Sequence, residues 1–427
     1  MESKRVLPSV LGGSVKVPPS KSMAHRALIC AGLAGGVSMI RNLAFSEDIR
    51  ATMACLEALG AGFEEAPDGL LVHGIGGRSF AGERVFRCGE SGSTLRFMIP
   101  IASAVGRGEN HFHGEGRLSQ RPLTVYEELL PQHGIEWKRG AEALPLVTRG
   151  GLDPGQYKLA GNVSSQFVSG LLLALPLLAG DSEIILTTEL ESEPYVELTM
   201  AAMADFGVHV ERKDRIFVIT GGQAYRPTDY TVEGDDSQAA FLLAAGALAG
   251  SGEGLLIEGL AQDSRQGDRV MRDLLVRMGV KLEWSERGLI VYPAAELHSD
   301  LTIDASQTPD LVPIQAAVGA VARGRMHIVR AGRLRIKESD RLRAVHEEYA
   351  AAGAEMKEGP DDLIITGHPE GLAGGTADSR NDHRIAMSLA VLALRTREGI
   401  LITDSGSVRK SWPGFWKDFA RIGGKYE

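Results

Sequence analysis

The nine residues LVRMGVKLE at positions 275–283 show the pattern that decides the fold: the end of an amphipathic helix, a glycine, and the start of a short strand. A glycine directly after a helix supplies the left-handed residue that ends it. The same pattern occurs at Gly60, Gly134, Gly207, Gly279, Gly353 and Gly423. The spacings are 74, 73, 72, 74 and 70 residues. The chain is therefore predicted to contain six structural repeats.

A second series of six lies between these glycines. Each member opens an Ala- and Leu-rich helix with Ser or Asp, residue types that cap free backbone N–H groups. The opening residues are Ser22, Ser93, Ser165, Ser237, Asp310 and Asp382, spaced by 71, 72, 72, 73 and 72 residues. These helices are apolar nearly all round, which predicts that they are buried. The shared period indicates an α/β fold of six repeats, each with two helices and about four strands.

Two clusters of three repeats are the natural grouping. The stiff Pro18-Pro19 pair and the stretch 227–236 are the expected crossings between the clusters. The first strand, residues 14–17, precedes the first helix and is assigned to the other cluster. We therefore expect one discontinuous domain of residues 1–19 and 235–427, and a second domain of residues 20–234.

Composition excludes several classes of protein. Lys and Arg number 46 against 55 Asp and Glu, and this net charge of −9 argues against a general nucleic-acid binder. The longest apolar runs are about half the length of a membrane span, and the N-terminus lacks the apolar segment of a signal peptide. Cys30, Cys55 and Cys88 form no CxxC pair, so neither a disulfide framework nor a zinc site is expected. We expect a cytoplasmic protein with no membrane partner.

Cations collect at the predicted helix starts, beside Ser, Gly and Asp. They are Lys21, Arg26, Arg96, Arg117, Arg121, Lys337, Arg341, Arg384 and Lys410. A single Lys or Arg is usually a solvated surface residue, but several beside helix N-termini favour the binding of phosphate and carboxylate groups. Ser164, Ser165 and Gln166 open one helix and fit either a neutral phosphate cradle or an ordinary helix cap.

Motifs of several common enzyme classes are missing from the sequence. There is no GxxxxGK[ST] loop, no GxGxxG after a strand, no HExxH and no GxSxG. These absences argue against an NTPase, a dinucleotide-binding enzyme, a zinc protease and a serine hydrolase.

Nine motifs in chain order carry a resemblance to a known family. They are PPSKSMAHRAL (18–28), GESGSTLRF (89–97), GEGRLSQRPL (114–123), NVSSQF (162–167), ESEPYVE (191–197), TPDLVP (308–313), LRIKESDRL (334–342), NDHRIAM (381–387) and VRKSWPGF (408–415). Together they cover essentially the whole chain, which resembles the 5-enolpyruvylshikimate-3-phosphate synthase family of enolpyruvyl transferases. The resemblance implies an inside-out α/β barrel of two similar domains, each of three βαβαββ units.

The resemblance also implies a reaction. The carboxyvinyl group of phosphoenolpyruvate is transferred to the 5-hydroxyl of shikimate 3-phosphate, in the shikimate pathway to chorismate and the aromatic amino acids. The hydroxyl adds to C2 while C3 is protonated, and the tetrahedral intermediate then loses phosphate and a C3 proton. No metal or organic cofactor is expected, and we expect a monomer. The family is the target of glyphosate, an inhibitor that occupies the phosphoenolpyruvate site.

Roles are implied for individual residues by matching position. The implied ligands of shikimate 3-phosphate are Lys21, Ser22, Arg26, Ser164, Ser165, Gln166, Ser192, Tyr195, Asp310 and Lys337. The implied ligands of phosphoenolpyruvate are Lys21, Gly92, Arg121, Gln166, Arg341, Arg384 and Lys410. The implied catalytic residues are Asp310, Glu338, Lys21, Lys410 and His383. Asp310 matches the proton acceptor for the 5-hydroxyl, and Glu338 matches the group that gives a proton to C3 and later removes one.

Three positions depart from the family pattern, and one of them is Ser93, which stands where the family often has Thr. Glu90 stands where the family often has Asn, and we hypothesise that it pairs with Arg96 or another arginine. Arg333 stands where an Asn is frequent just upstream of the LRIKESDRL motif, and it is not included in the predicted site.

Two alternative functions are weighed. An enolpyruvyl transferase acting on UDP-N-acetylglucosamine typically has a reactive cysteine in a mobile loop, whereas Cys30 and Cys55 fall inside helical patterns and Cys88 precedes a glycine motif. A non-catalytic anion-binding protein on the same scaffold would not need Asp310 and Glu338. Phosphate release in the presence of both substrates distinguishes these possibilities.

Overall fold

The computed structural model describes residues 2–427 as alternating strands and helices. The strands are β1 (Lys4–Leu7), β2 (Leu11–Lys16), β3 (Val37–Arg41), β4 (Gly62–Ala66), β5 (Gly69–His73), β6 (Glu83–Arg87), β7 (Glu109–His113), β8 (Ile135–Arg139), β9 (Leu146–Gly150), β10 (Gln156–Leu159), β11 (Ser182–Leu186), β12 (Glu211–Lys213), β13 (Ile216–Ile219), β14 (Tyr230–Thr231), β15 (Gly250–Glu258), β16 (Leu282–Ser285), β17 (Gly288–Val291), β18 (Leu301–Asp304), β19 (Arg325–Val329), β20 (Glu355–Glu358), β21 (Leu363–Thr366), β22 (Gly375–Asp378), β23 (Ile400–Thr403) and β24 (Lys425–Tyr426).

The α-helices are α1 (Lys21–Leu33), α2 (Glu47–Ala58), α3 (Gly92–Ala104), α4 (Thr124–Leu129), α5 (Ser165–Ala174), α6 (Glu193–Asp205), α7 (Asp236–Ala249), α8 (Val270–Arg277), α9 (Val312–Ala320), α10 (Arg341–Ala351), α11 (His383–Ala393) and α12 (Phe415–Arg421). Within residues 2–427, no helix is both long enough and apolar enough to cross a membrane.

The strands form six four-stranded sheets with one common topology. In the sheet ordered β6-β7-β9-β8 the first pair is parallel and the other two pairs are antiparallel. Helix α3 connects β6 to β7, because parallel neighbours need a crossover, and α4 lies between β7 and β8. The orders β10-β11-β13-β12 and β18-β19-β21-β20 repeat this arrangement. The α/β fold class and the six repeats expected from the sequence are confirmed.

The other three sheets take a strand from a distant part of the sequence. Strand β2 pairs in parallel with β15, and β14 pairs in parallel with β3. Strand β1 lies between β23 and β24 and is antiparallel to both. The chain therefore contributes its N-terminal strands to sheets that are built mainly from its C-terminal half.

The chain divides into two compact units. Unit 1 is formed by the chain up to Ser20 together with Glu233–Glu427, and unit 2 is Lys21–Val232. Each unit contains three of the six sheets and has its own hydrophobic core.

Buried helices at the centre of each core hold the polar residues at their starts in place. In unit 2, every residue of α1 from Met23 onward is buried, and in unit 1 all of α11 is buried. The expectation that these helices are buried on all sides is confirmed. Small residues allow close packing: a Cβ on Gly170 of α5 would lie 2.5 Å from the carbonyl oxygen of Arg96 in α3. Packing at backbone distance leaves little freedom for either helix to shift.

The six glycines that recur at the helix ends, one in each repeat, all have positive φ angles. The values are 94° for Gly60, 88° for Gly134, 79° for Gly207, 101° for Gly279, 97° for Gly353 and 104° for Gly423. Only glycine adopts this region at no steric cost. The predicted role of these residues in ending helices is confirmed.

Candidate active site

The residues singled out in the sequence fall into two groups, one in each unit. Unit 2 contains Lys21, Ser22, Arg26, Gly92, Arg121, Ser164, Ser165, Gln166, Ser192 and Tyr195. Unit 1 contains Asp310, Lys337, Glu338, Arg341, His383, Arg384 and Lys410. Most of them lie at or next to the starts of buried helices.

Arg26 in α1 joins the start of its own helix to α6. Its Nη1 donates to the carbonyl of Ser22 at 2.6 Å, its Nη2 to the carbonyl of Tyr195 at 2.8 Å, and its Nε to Thr199 Oγ1 at 2.7 Å. Burial lowers the pKa of Arg26 to about 10, so the side chain remains charged at neutral pH. Three uncharged acceptors thus hold a buried cation beside two of the predicted site residues.

Lys21, the first residue of α1, contacts a carboxylate. Its Nζ lies 2.7 Å from Asp48 Oδ2 at the start of α2. Both side chains are partly exposed, at 19% and 15%. The ion pair orients the ammonium group and leaves part of it accessible.

Gly92 and Arg121 lie against each other at the start of α3. Ser91 caps this helix, and its Oγ accepts a hydrogen bond from the backbone N–H of Thr94 at 3.3 Å. A Cβ on Gly92 would lie only 2.5 Å from Arg121 Nη1. Glycine at this position therefore lets the guanidinium reach the helix N-terminus, where free N–H groups and a positive charge favour an anion.

Gln166 in α5 is oriented by the neighbouring start of α3. Its Nε2 donates to Ser93 Oγ at 2.8 Å, and its Oε1 accepts from Arg96 Nη1 at 2.6 Å. Ser164 caps α5, and its Oγ accepts from the Gln166 N–H at 3.4 Å. The capping interpretation therefore holds for Ser164, and it is compatible with a role in phosphate binding.

Ser192, which precedes α6, has an unusual backbone conformation. It is buried and left-handed, with φ 55° and ψ 40°. A non-glycine residue in this region is held there by its surroundings at a cost of about 1–2 kcal/mol. Such conformations cluster at functional sites.

Asp310, at the start of the helical segment that leads into α9, lies among three cations of unit 1. Its Oδ1 is 3.3 Å from Lys337 Nζ and 2.9 Å from Arg341 Nη1, and its Oδ2 is 3.0 Å from Arg384 Nη2. Burial alone would raise the pKa of Asp310, but these cations hold it well below its usual value. Asp310 is therefore a carboxylate at neutral pH.

Arg341 forms ion pairs with several carboxylates of this group, and only 1% of its surface is exposed. Besides Asp310, it contacts Glu338 Oε2 through Nη2 at 2.7 Å and Asp382 Oδ2 through Nε at 2.9 Å. Asp382 also caps α11 by accepting from the N–H of Arg384 at 2.9 Å. Both predicted acid–base carboxylates, Asp310 and Glu338, are thus fixed by one buried guanidinium.

Lys337 and His383 complete this group. Burial lowers the pKa of Lys337, and the charge of Asp310 opposes the change. His383, the first residue of α11, is buried with its Nδ1 4.0 Å from Asp382 Oδ1. His383 therefore lies beside the carboxylate that anchors Arg341.

Lys410 is held by the segment that precedes α11. Its Nζ donates to the carbonyl of Asn381 at 2.8 Å. Arg380 and Asn381 are both left-handed, with φ of 54° and 55°. Two successive residues in this region turn the chain sharply, so that a carbonyl reaches Lys410 while α11 begins at His383.

Of the positions that depart from the family pattern, Glu90 lies in the turn before α3, Ser93 lies in the first turn of α3, and Arg333 lies in a short 3-10 helix, Gly332–Ile336. The carboxyl carbon of Glu90 is 2.6 Å from where a Cβ on Gly116 would lie, so Glu90 packs against this left-handed glycine. Arg333 donates through Nη2 to the carbonyl of Ser306 at 2.8 Å. The pairing of Glu90 with an arginine stays a prediction.

Comparison with known proteins identifies the family. The family model described as EPSP synthase (3-phosphoshikimate 1-carboxyvinyltransferase) matches residues 7–419. The chain is 46% identical to the 3-phosphoshikimate 1-carboxyvinyltransferase of Clostridium kluyveri, over 100% of this chain and 99% of that protein. The chain belongs to the EPSP synthase family.

Further relatives agree with this family. The 3-phosphoshikimate 1-carboxyvinyltransferase of Clostridium perfringens is 46% identical over 99% of both chains. The solved EPSP synthase of Acinetobacter baumannii superimposes with a TM-score of 0.81 at 25% identity, covering 100% of this chain and 99% of that one. None of these relatives is named for a UDP-sugar acceptor, so the alternative enolpyruvyl transferase is not favoured.

The cysteines are buried, free thiols. Cys30 and Cys55 lie in α1 and α2, as the helical patterns predicted, and Cys88 follows β6. Burial raises the pKa of Cys30, which lowers its reactivity. This EPSP synthase family member thus lacks an exposed thiol at all three positions.

Several residues that hold the site were missed by sequence reasoning. Asp48 contacts Lys21, Thr199 contacts Arg26, and Asp382 contacts Arg341. Asp382 was identified as a helix-opening residue, and that pattern predicts a cap but not an arginine partner. Asp48 and Thr199 lie 27 and 173 residues from their partners, and no local pattern reports such contacts.

Proposed function

We propose that this chain transfers the carboxyvinyl group of phosphoenolpyruvate to the 5-hydroxyl of shikimate 3-phosphate, releasing phosphate. The proposal rests on family membership and on one observation above all: Asp310 and Glu338 both contact the buried Arg341. This places two carboxylates suited to proton transfer beside cations suited to anionic substrates.

Shikimate 3-phosphate has a carboxylate, a phosphate and a hydroxylated ring to be recognised. We assign Ser22 and Arg26 to the carboxylate, Tyr195 to the ring, and Lys337 to the hydroxyls. The phosphate is assigned to Ser164, Ser165 and Ser192. The contacts of Arg26 with the Ser22 and Tyr195 carbonyls support grouping these three residues.

Phosphoenolpyruvate is assigned to two sets of cations. Gly92, Arg121 and Lys410 take its phosphate, and Arg341 and Arg384 take its carboxylate. The close approach of Arg121 to Gly92 supports the first assignment, since both donate to an anion at one place. A guanidinium binds a carboxylate through two parallel hydrogen bonds, which suits the second.

Two residues are assigned to both substrates, namely Lys21 and Gln166. Lys21 supplies a mobile point charge, whereas the Gln166 amide has both a donor and an acceptor. The contacts of Gln166 with Ser93 and Arg96 orient this amide before substrate arrives.

Proton transfer is assigned to the carboxylates of unit 1. Asp310 takes the proton of the 5-hydroxyl as the hydroxyl oxygen bonds to C2, and Glu338, which enters the cycle as the carboxylic acid, delivers its proton to C3. The tetrahedral intermediate then expels phosphate, Glu338 takes a proton back from C3, and the proton held by Asp310 leaves with the phosphate. His383 supports the set through Asp382.

The contacts of Asp310 suggest how its basicity changes during turnover. Arg341 and Arg384, which hold its pKa down, are the residues assigned to the substrate carboxylate. A bound carboxylate competes for their hydrogen bonds and adds negative charge nearby, and both effects raise the pKa of Asp310. Asp310 is therefore a stronger base when phosphoenolpyruvate is bound.

We also propose that units 1 and 2 are the two enolpyruvyl transferase domains of a monomer in the cytoplasm, acting on small molecules only. The support for the two domains is that each unit has its own hydrophobic core, and the support for the compartment is that the cysteines are free thiols. Light scattering at the concentration used for kinetics tests the monomer, and a stable dimer would contradict it.

The test of function is phosphate release by purified protein with phosphoenolpyruvate and either shikimate 3-phosphate or UDP-N-acetylglucosamine. No metal is added, and a chelator control is run in parallel. Release with shikimate 3-phosphate alone is expected. Release with the nucleotide sugar alone would overturn the acceptor assignment, and release with neither would overturn the proposed activity.

A further inference from the structure

Four buried polar side chains of unit 2 form a continuous hydrogen-bonded chain across three helices. His25 Nδ1 in α1 is 2.7 Å from Thr52 Oγ1 in α2, which is 2.7 Å from Thr94 Oγ1 in α3. Thr94 Oγ1 in turn donates to Ser91 Oγ at 2.8 Å. All four residues are 1% exposed or less. A polar chain this deeply buried has few alternative arrangements.

The direction of each hydrogen bond in the chain follows from the number of hydrogens available. A hydroxyl has one hydrogen, and that of Thr94 goes to Ser91. Thr52 must then donate to Thr94, and Thr52 must accept from His25. His25 therefore has its hydrogen on Nδ1, and its buried Nε2, which has no hydrogen-bond partner, is the unprotonated nitrogen.

The charge state of His25 keeps this direction constant. Burial holds the pKa of His25 well below its usual value, and the nearby charges of Lys21 and Arg26 lower it further. The imidazole is neutral at neutral pH. The chain is thus a fixed structural connection and not a proton pathway.

The two ends of the chain lie at different parts of the proposed site. Its first member belongs to the helix that contains Lys21, Ser22 and Arg26, and its last member caps α3 immediately before Gly92. We propose that His25, Thr52 and Thr94 are positioning residues that fix the start of α3 for the phosphate of phosphoenolpyruvate. This inference rests on the proposed assignment of Gly92 and Arg121.

The close contact at Gly92 makes this position sensitive to small shifts. Arg121 Nη1 already lies 2.5 Å from where a Cβ on Gly92 would be. The orientation of Ser91 determines where α3 begins and hence where its first N–H groups point. A displacement of about 1 Å at a binding group can lower activity by roughly a hundredfold. Activity is therefore expected to fall if the side chain of Ser91 is not held in place.

The test removes the middle hydroxyl of the chain and keeps the side-chain shape. Thr52→Val is expected to raise KM for phosphoenolpyruvate on the order of tenfold, because two buried hydrogen bonds are lost. KM for shikimate 3-phosphate and kcat should change little. Thr52→Ser restores the hydroxyl and should restore KM. A residue that contributed only to stability would lower Tm without separating the two KM values.

A double variant tests whether the chain acts as one unit. Thr94→Val breaks the same chain one step closer to Ser91, and it should give the same rise in KM as Thr52→Val. The double variant Thr52→Val/Thr94→Val should be no worse than either single variant, because the connection is already broken. Independent effects would multiply, and a multiplied KM would overturn the proposal.

A matched control lies elsewhere in the same unit. Thr199 is also fully buried; its hydroxyl accepts from Arg26 and lies 2.8 Å from Ser169 Oγ and 2.9 Å from the carbonyl oxygen of Tyr195. Thr199→Val should raise KM for shikimate 3-phosphate and leave KM for phosphoenolpyruvate nearly unchanged, which is the opposite of the result expected for Thr52→Val. Ser103→Ala removes a buried hydroxyl near the far end of α3 and should change neither KM.

The outcomes distinguish the positioning role from the assignment of Gly92 and Arg121 to the phosphate of phosphoenolpyruvate, on which that role depends. If Arg121→Ala raises KM for phosphoenolpyruvate and Thr52→Val also raises it, the proposal stands. If Arg121→Ala raises it and Thr52→Val leaves both KM values unchanged or raises them equally, the positioning role is wrong and the site assignment survives. If neither variant changes KM for phosphoenolpyruvate, the assignment of the phosphate site is wrong and the positioning role is also lost.

Discussion

The cations of the two units are held in different ways. In unit 2, Arg26 and Arg96 donate to carbonyl, hydroxyl and amide oxygens, which carry no net charge. In unit 1, Lys337, Arg341 and Arg384 all contact the carboxylate of Asp310. Lys21 of unit 2 and Lys410 of unit 1 are exceptions, since Lys21 contacts Asp48 and Lys410 donates to the carbonyl of Asn381.

This difference suggests a division of labour. A cation held by neutral acceptors keeps its full charge for an anionic substrate. A cation that is shared with carboxylates instead sets how tightly those carboxylates hold a proton. We therefore expect the unit 2 residues mainly to bind substrate, and the unit 1 residues also to transfer protons.

The largest expected effect comes from removing a proton acceptor of unit 1. Asp310→Asn keeps the size of the side chain but cannot take the proton of the 5-hydroxyl. General acid–base catalysis typically contributes ~10²–10⁴ in rate, so kcat should fall by at least that lower figure. Phosphate release at saturating substrate measures it, with Tm as a check on folding. Near-normal turnover would remove Asp310 from its assigned role.

A smaller effect is expected from crowding the phosphate site of unit 2. The Cβ of Gly92→Ala would overlap the guanidinium of Arg121 and force it away. We expect KM for phosphoenolpyruvate to rise roughly 10- to 100-fold while KM for shikimate 3-phosphate changes little. Initial rates with each substrate varied in turn measure both. Equal changes in the two values would show that Gly92 does not distinguish the substrates.

Arg26→Lys is expected to have a milder effect on the other substrate. Lysine keeps the charge but cannot reach the Thr199 hydroxyl and the two carbonyls of Ser22 and Tyr195 in the geometry of a guanidinium. KM for shikimate 3-phosphate should rise about tenfold or less, and kcat should be largely retained. A decrease in kcat without a change in KM would contradict the proposed difference between the units, because it would show that a cation of unit 2 acts in the chemical step.

The smallest effect on turnover is expected at a carboxylate of unit 1 outside the assigned set. Asp268 is buried and accepts from Ser237 Oγ. Burial, helped by the charge of Asp310, raises the pKa of Asp268 to about 6, above the 3.8 expected in the unfolded chain. Because the pKa of Asp268 is higher in the folded state, its protonated form stabilises the folded protein. This contribution is complete below about pH 4 and is lost as pH rises through about 6.

Replacing Asp268 tests whether its pKa is raised in the folded protein. The free energy of unfolding of the wild type, relative to Asp268→Asn, should fall between pH 4 and pH 7, by on the order of 3 kcal/mol at most. Denaturant unfolding of both proteins at several pH values measures the difference. A difference that does not change with pH, or that grows, would contradict the assigned pKa direction.

Local patterns in the sequence predicted the features that depend on local chemistry. The glycines that end helices, such as Gly279, were visible because only glycine suits a left-handed position. Helix-opening residues such as Ser165 and Asp382 were visible because capping needs particular side chains next to an apolar run. The sixfold period of these two signals was enough to predict the α/β repeat.

Contacts between distant residues were not predictable in this way. The chain from His25 through Thr52 to Thr94 spans three helices, and it depends on how those helices pack. The left-handed backbone of Ser192 depends on its surroundings and not on its residue type. The site cations are recognisable from their position at helix starts, and the roles of the site residues come from family resemblance. The contacts that hold these residues, such as Asp48 with Lys21 and Asp382 with Arg341, depend on the fold.

The central claim is that unit 2 cations bind while unit 1 carboxylates transfer protons. Its most direct test measures kcat and the calorimetric affinity for shikimate 3-phosphate in Glu338→Gln, beside the same two quantities in Arg26→Lys. We predict that Glu338→Gln loses at least ~10² in kcat and keeps its affinity within about threefold, whereas Arg26→Lys weakens the affinity by about tenfold or less and largely keeps kcat. Loss of affinity and of kcat in equal measure in both variants would contradict the claim.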